Sequence, residues 1–358
     1  MKLGLGLYRH MLTPENFRFA RQCGCTHLIV HLVDYFHQGA SDRQNQPVGS
    51  QAGWGFAGDP HELWTYEELA ALRESINKQG LELYAIENLD PAHWHDVLLD
   101  GPKKAQHLEN VKTIIRNMGR AGIPVLGYNF SLSGVAGRIQ GPFARGGAVS
   151  VGMDGPDETP IPNGMIWNMV YDPNAPPGVV PSITSEQLWQ RLADFLEAVI
   201  PMAEEAGVTL AAHPDDPPLP LLRAQPKLVY QPRLYQRLID LKPSPRNGLE
   251  FCVGTLAEMT EGNIYETVDH YSRQGNLAYV HLRNITGKAP HYHETFIDDG
   301  DVNALRVLEI LHQNEFEGPI IPDHTPQVEC GAPWHAGMAF ALGYFRAVLQ
   351  RFETSSQP

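Results

Sequence analysis

Four blocks of the sequence end a short apolar run on a side chain capable of chemistry: LAAHPDDPP at His213, LEFCVGT at Cys252, AYVHLRN at His281 and PIIPDHTP at Asp323. Two imidazoles, a thiolate and a carboxylate suffice to hold a divalent transition ion, a softer set than the oxygen ligands of magnesium or calcium. Catalysis would also require a coordination position left open to water or substrate. Each residue alone has a plainer structural reading: a buried His satisfied by backbone, a Cys packed as a small apolar group, an Asp capping a helix.

Their neighbours extend the list of candidates. Asp215 and Asp216 follow His213, where they could anchor substrate hydroxyls or fix the imidazole tautomer, or simply serve a turn. His324 adjoins Asp323, and imidazole titrates near neutral pH, so His324 is the expected acid/base. Arg283 could grip a carboxylate bidentately, with Asn284 beside it. Glu87, Tyr128 and Asn129 close two earlier apolar runs, and His291 and His293 make a polar cluster in HYHETFIDDGDVN. Glu87, Tyr128, Asn129, Arg283, Asn284 and His293 are thus the expected substrate contacts.

The elements that must position these residues show in the hydrophobic period. Short apolar runs at 3–7, 27–31, 81–87, 125–130, 208–213, 249–253, 277–282 and 319–323 read as strands. Segments of helical spacing follow them at 14–22, 66–79, 104–121, 185–206, 232–241, 264–273, 302–313 and 335–351. Thr13 can cap the first helix ahead of Pro14, and Gly80, Gly122, Gly207 and Gly275 follow helices where a left-handed residue can end them. Eight such units predict an α/β TIM (β/α)8 barrel, residues 1–353 forming one catalytic domain and 354–358 a disordered tail. A doubly wound open sheet is the alternative, weakened by the lack of GxGxxG after any strand.

In a barrel all strand carboxyl ends share one mouth, which would bring the four candidate ligands together. The long connections 33–65 and 131–184, after strands 2 and 4, would lie over that mouth as lids.

Composition narrows the function. The chain has 358 residues, 42% hydrophobic and 19% charged, with a net charge of −14 that disfavours a nucleic-acid partner. No window approaches the ~18 apolar residues of a membrane span. A cytoplasmic protein acting on a small molecule is expected, with Cys23, Cys25 and Cys330 reduced. A homo-oligomer, dimer or tetramer, is also expected, with loops such as GWGFAG packing between subunits.

Taken together, HPDDPP, FCVGT, VHLRN, HETFIDDGDVN and PDH, with IENLDPAHWHD and GIPVLGYNF upstream, resemble the mannonate dehydratase family along nearly the whole chain. The resemblance implies a xylose-isomerase-like barrel holding manganese or iron at His213, Cys252, His281 and Asp323; the donor set also admits zinc. It implies dehydration of D-mannonate to 2-keto-3-deoxy-D-gluconate, by removal of the C2 proton and loss of the C3 hydroxyl. The chain departs from the family pattern at Ile321 and Pro326, at Trp334 where a Tyr is expected, and throughout SLSGVAGRIQGPFARGGAVSVGMDG. Alternatives that keep the barrel and metal are an epimerase, isomerase or β-eliminating lyase on a keto sugar or oxidised glycoside. A non-catalytic sugar-acid binding protein stands behind those.

Overall fold

The apolar run KLGLGL forms strand β1 (Lys2–Leu7), and seven further runs do likewise: β2 (His27–Val30), β3 (Glu82–Glu87), β4 (Val125–Tyr128), β5 (Thr209–Ala212), β6 (Asn247–Cys252), β7 (Leu277–His281) and β8 (Pro319–Ile321). In this computed structural model, which describes residues 1–36, 46–48 and 53–355, all eight pair in parallel and close into a barrel, β1 joining both β2 and β8. The open-sheet alternative is thereby excluded.

Eight helices follow the strands as expected: α1 (Pro14–Gln22), α2 (Tyr66–Asn77), α3 (Lys104–Ala121), α4 (Ser185–Ala206), α5 (Leu234–Leu241), α6 (Ile264–Gln274), α7 (Ala304–Gln313) and α8 (Pro333–Ser355). Local chemistry sets many of their ends. Thr13 accepts from the Asn16 N–H ahead of Pro14, and Thr65 with Glu68 and Thr184 with Gln187 form capping boxes. Gly122, Gly207 and Gly275 close their helices with positive φ. α8 continues to Ser355, into the segment expected to be a tail, while 356–358 lie outside the described residues.

Two short helices were not expected. Pro91–Leu99 is buried on every side over residues 91–98, so it shows no polar face and no 3.6 period. Val253–Glu258, also wholly buried, is too short to display one.

The core has two layers. Leucines, valines and isoleucines of strands and helices pack between them as the outer layer, and Ile29, Ala85, Val125, Ala211, Tyr279 and Ile321 fill the barrel interior. Gly127 matters here, because a Cβ at that position would run into Tyr279 Oη and Glu250 Oε2. A polar pair can occupy the barrel centre because this strand offers no side chain.

The described parts of the long connections pair over the mouth. Strands Arg138–Ala144 and Ala148–Asp154 join the hairpin of Asn284–Lys288 and His291–Thr295 in one antiparallel sheet. Gly55–Phe56, after β2, pairs with Met169–Val170, after β4. Residues 37–45 and 49–52 of the first lid lie outside the described residues. Trp54 of GWGFAG is buried within its own chain, not offered to a second subunit.

Candidate metal centre and cavity

Register brings the candidate ligands level: Cys252 stands opposite His281 in the β6–β7 pairing, and the His213 N–H donates to Tyr128 O at 2.9 Å where β5 leaves β4. The donor atoms of His213, Cys252 and His281 lie within 4.8 Å of one another. Asp323 completes the group, with Oδ2 3.9 Å from Cys252 Sγ and Oδ1 3.5 Å from His281 Nδ1. Its φ of +60° turns it out of β8 and into the mouth.

The supports are specific. His213 Nδ1 donates to Pro214 O at 2.6 Å, which fixes the ring with Nε2 as the atom that faces the group. Cys252 Sγ accepts from Thr255 N–H at 3.3 Å and Thr255 Oγ1 at 3.2 Å. Burial opposes the thiolate, but the Arg283 guanidinium first, and then the adjoining His213 and His281 rings, override it and hold the Cys252 thiol down to about 5. Burial likewise opposes the charged Asp323, yet His324, His281 and Arg283 depress its pKa.

Glu250 carries no site signal of its own in the sequence, and its place beneath this group follows from alternation: two residues before Cys252 on β6, it faces the same interior. Glu250 Oε1 lies 3.4 Å from His281 Nε2, and Glu87 Oε2 lies 3.3 Å from the same nitrogen. Burial first, and the neighbouring Glu87 second, push the Glu250 carboxyl well above its usual range. Both His281 nitrogens and both Glu250 oxygens are buried without an aligned hydrogen bond among the described residues. Such orphaned donors beside a thiolate and carboxylates fit a cation.

A cavity of about 510 Å3, open in part to solvent, lies against this group. Glu87, Asn129, Asp216, His213, His281, Asp323 and His324 line it as expected. His324 is held between Glu294 Oε1 (3.0 Å from Nδ1) and Asp323 Oδ1 (3.3 Å from Nε2). Asp216 accepts from Arg138 at 3.0 Å and Arg283 at 3.2 Å; burial opposes its charge, and the two guanidiniums lower its pKa nonetheless.

Five expected contacts are placed elsewhere. Asp215 turns away from the cavity: its Oδ2 accepts from the Leu228 and Val229 N–H groups, and Oδ1 sits 3.3 Å from the fully buried Lys227 ammonium. Tyr128 points outward, because Gly127 takes the inward position, and packs on Phe195 of α4. Arg283 donates to Asp323, Glu258, Asp216 and Thr255, so its fork braces the site's own side chains. Asn284 is spent on Ile297 O, Val302 O and the Val302 N–H. His293 faces away on its strand while its neighbour Glu294 faces in, and its ring lies near Phe143. His291 pairs with Asp154 at the surface.

Besides Glu250, Tyr8, His31, Trp54, Arg138 and Trp167 join the cavity lining without having been expected there. Tyr8 and His31 come directly after β1 and β2, so the strand-end rule would have found them. Trp54, Arg138 and Trp167 come from the lids, where no local pattern marks an inward residue. A separate group, His95, Asp96 and His107, is a hydrogen-bonded knot: the Asp96 N–H donates to His107 Nδ1 at 3.1 Å, and His95 stacks on Tyr171.

A closed parallel (β/α)8 barrel whose carboxyl mouth gathers nitrogen, sulfur and oxygen donors is a TIM barrel suited to a divalent metal ion. The family model described as D-mannonate dehydratase (UxuA) matches residues 43–136 and 179–349. The chain belongs to the mannonate dehydratase family. It is 30% identical over 296 residues to mannonate dehydratase 2 of Halalkalibacterium halodurans, covering 78% of this chain and 85% of that protein. It is also 30% identical over 320 residues to mannonate dehydratase of Thermotoga maritima, covering 80% and 87%. The crystal structure of mannonate dehydratase from Streptococcus suis serotype 2 superimposes with a TM-score of 0.77 at 24% identity, over 99% of this chain and 94% of that one. L-ribulose 3-epimerase, with a TM-score of 0.56 at 13% identity over 99% and 96%, shares the fold alone. Among the described residues no helix is long and apolar enough to cross a membrane.

Proposed function

We propose that the protein is a metal-dependent sugar-acid dehydratase, converting D-mannonate to 2-keto-3-deoxy-D-gluconate. The observation that carries this is the meeting of His213, Cys252, His281 and Asp323 at the barrel mouth in a chain of the mannonate dehydratase family. The mixed donor set suits Mn2+, with Fe2+ or Zn2+ as the other candidates. Bound there, the ion supplies Lewis acidity that tolerates the charge developing on the substrate carboxylate as the C2 proton leaves.

The chain's own groups divide the remaining work. His324, fixed through Nδ1 by Glu294, lines the cavity with its Nε2 beside Asp323 and moves the proton. The reaction balances when the C2 proton is taken up, the C3 hydroxyl departs as water after protonation, and the resulting enol becomes the 2-keto acid. Asp216, kept ionised between two arginines, accepts from a substrate hydroxyl. Tyr8 keeps its proton and so can donate a hydrogen bond but not act as a base, because burial and then the nearby Asp323 hold its phenol above the usual range. Glu87 and Asn129 complete the polar lining.

Turnover of D-mannonate by protein reloaded with manganese, with the 2-keto-3-deoxy acid monitored, is the direct test. Stoichiometric metal without product would remove the assignment. It would favour the second reading, an epimerase, isomerase or β-eliminating lyase on a keto sugar or oxidised glycoside. That reading draws on residues 137–178, which lie outside the family match yet supply cavity wall.

On the same reading residues 1–353 work as one catalytic domain in the cytoplasm, as a dimer or tetramer. The net charge of −14 argues against a nucleic-acid partner, and exposed Ile139, Val149 and Phe340 are apolar surface that assembly would cover. Light scattering after gel filtration checks the assembly; a monomer at micromolar concentration would remove it.

A further inference from the structure

Residues 137–178, between the two stretches matched by the family, deliver Arg138 and Trp167 to the cavity wall, where they meet Trp54 from the loop after β2. The two indoles stand edge to face, their centroids 5.6 Å apart and their planes at 80°, and Tyr35 lies 5.8 and 5.5 Å from them. Their backbones are pinned. Trp54 N–H donates to Asn168 O at 2.7 Å, Trp167 N–H donates to Leu132 O at 2.8 Å, and Asn168 Nδ2 donates to Val135 O. Trp167 and Asn168 both hold left-handed backbone, with φ of +50° and +59°, a conformation that must be stabilised by its surroundings.

The indole N–H groups have no such provision. Trp54 is 3% exposed and Trp167 7%, yet neither Nε1 has an acceptor among the described residues. An indole nitrogen can only donate, and a buried donor without an acceptor is disfavoured and rare in native interiors. Two of them on one cavity wall call for oxygen atoms from a ligand.

Charge narrows the ligand. Arg138 is matched by Asp216, and Arg283 faces Asp216, Glu258, Glu294 and Asp323. Both guanidiniums are thus already engaged by the site's own carboxyl groups, which leaves neither of them free for a second anionic group on a ligand. The aromatic faces of Tyr35, Trp54 and Trp167 suit C–H bonds instead.

We propose that Trp54 and Trp167 form a subsite for the neutral, hydroxyl-bearing end of a sugar acid whose carboxylate end lies at the metal-binding residues. The indole N–H groups donate to hydroxyl oxygens and the rings pack on the carbon chain. This rests on the sugar-acid reading above and adds a selectivity: a neutral polyol end is preferred over one bearing a second carboxylate or a phosphate.

The test is calorimetric titration of the metal-loaded full chain with D-mannonate, with the six-carbon diacid of the same configuration, and with D-glycerate, which is too short to reach the wall. Mannonate should bind at least tenfold more tightly than either. Trp54→Phe and Trp167→Phe keep a ring and remove the N–H; each should weaken mannonate binding roughly three- to tenfold, the worth of one neutral hydrogen bond, and leave glycerate binding unchanged. Equal binding of the diacid, or unchanged mannonate affinity in both variants, overturns the proposal. The wild-type comparison stands even if a variant misfolds. Selective binding without keto-deoxy product would remove the dehydratase reading and keep the subsite; product without selectivity would do the reverse. If none of the three acids binds, the subsite falls together with the reading beneath it.

Discussion

The two sides of the cavity are held by different physics. On one side His213, Cys252, His281 and Asp323 are charged or ligand-type groups on the ends of β5 to β8, fixed by one another and by Arg283, Glu250 and Glu294. On the other, Tyr35, Trp54 and Trp167 are aromatic groups on connections, fixed by packing and by backbone hydrogen bonds between lids. The rigid strands carry what the chemistry needs unchanged, and the connections carry what can vary with the substrate. The HPDDPP block crosses this divide within two residues: Asp216 serves the cavity, while Asp215 and Lys227 hold the loop that presents it.

Substitutions on the strand side should have the largest effects. Cys252→Ala should abolish turnover and weaken metal binding by more than the roughly 10–100-fold that follows loss of a mere supporting residue. Elemental analysis with a competing chelator reads this, and full occupancy in that variant would end the role of Cys252 as ligand. His324→Asn should lower kcat by about 10^2- to 10^4-fold at unchanged metal stoichiometry, the range of a lost general acid/base. An unaffected rate would take His324 out of the mechanism.

Lys227→Met separates the two aspartates. It strands the Asp215 carboxylate in the interior and should lower the unfolding free energy by about 3–5 kcal/mol in a urea titration, the usual effect of halving a buried pair. Little change in stability would mean that Asp215 does not depend on that ammonium. Glu250→Gln should then weaken metal binding by roughly 10–100-fold through His281, without the outright loss expected for a ligand. Smallest of all, Tyr128→Phe removes a buried hydroxyl that has no partner among the described residues, so stability should move by less than about 1 kcal/mol and kinetics not at all. A large kinetic effect there would mean that the phenol reaches the mouth after all.

Much of this was legible beforehand because strands and helices announce themselves locally. The eight strands lie where apolar runs end in Gly, Pro or polar residues, and Thr13 ahead of Pro14 marks a helix start whose cap hydrogen bond the structure contains. The four candidate ligands stand out because each terminates a strand, and barrel closure makes strand ends neighbours. Helix 91–99 escaped because full burial erases the period, and Glu250 because an inward acid in a strand interior looks like any other strand residue.

What the sequence determined by itself was therefore the barrel and the level of the chain at which chemistry gathers. Apolar period, caps and strand ends depend on residues within one turn or one pleat of each other. Only the tertiary structure decided which of two adjacent polar residues faces the mouth: Asp216 and not Asp215, Glu294 and not His293. It alone brought Trp54 and Trp167 together. Those choices depend on how each chain leaves its strand and on pairing between strands far apart in sequence, such as 55–56 with 169–170 and 148–154 with 291–295. A one-residue change of direction reverses a side chain, and the energy that selects the direction comes from partners outside the local stretch, such as Arg138, 78 residues from Asp216.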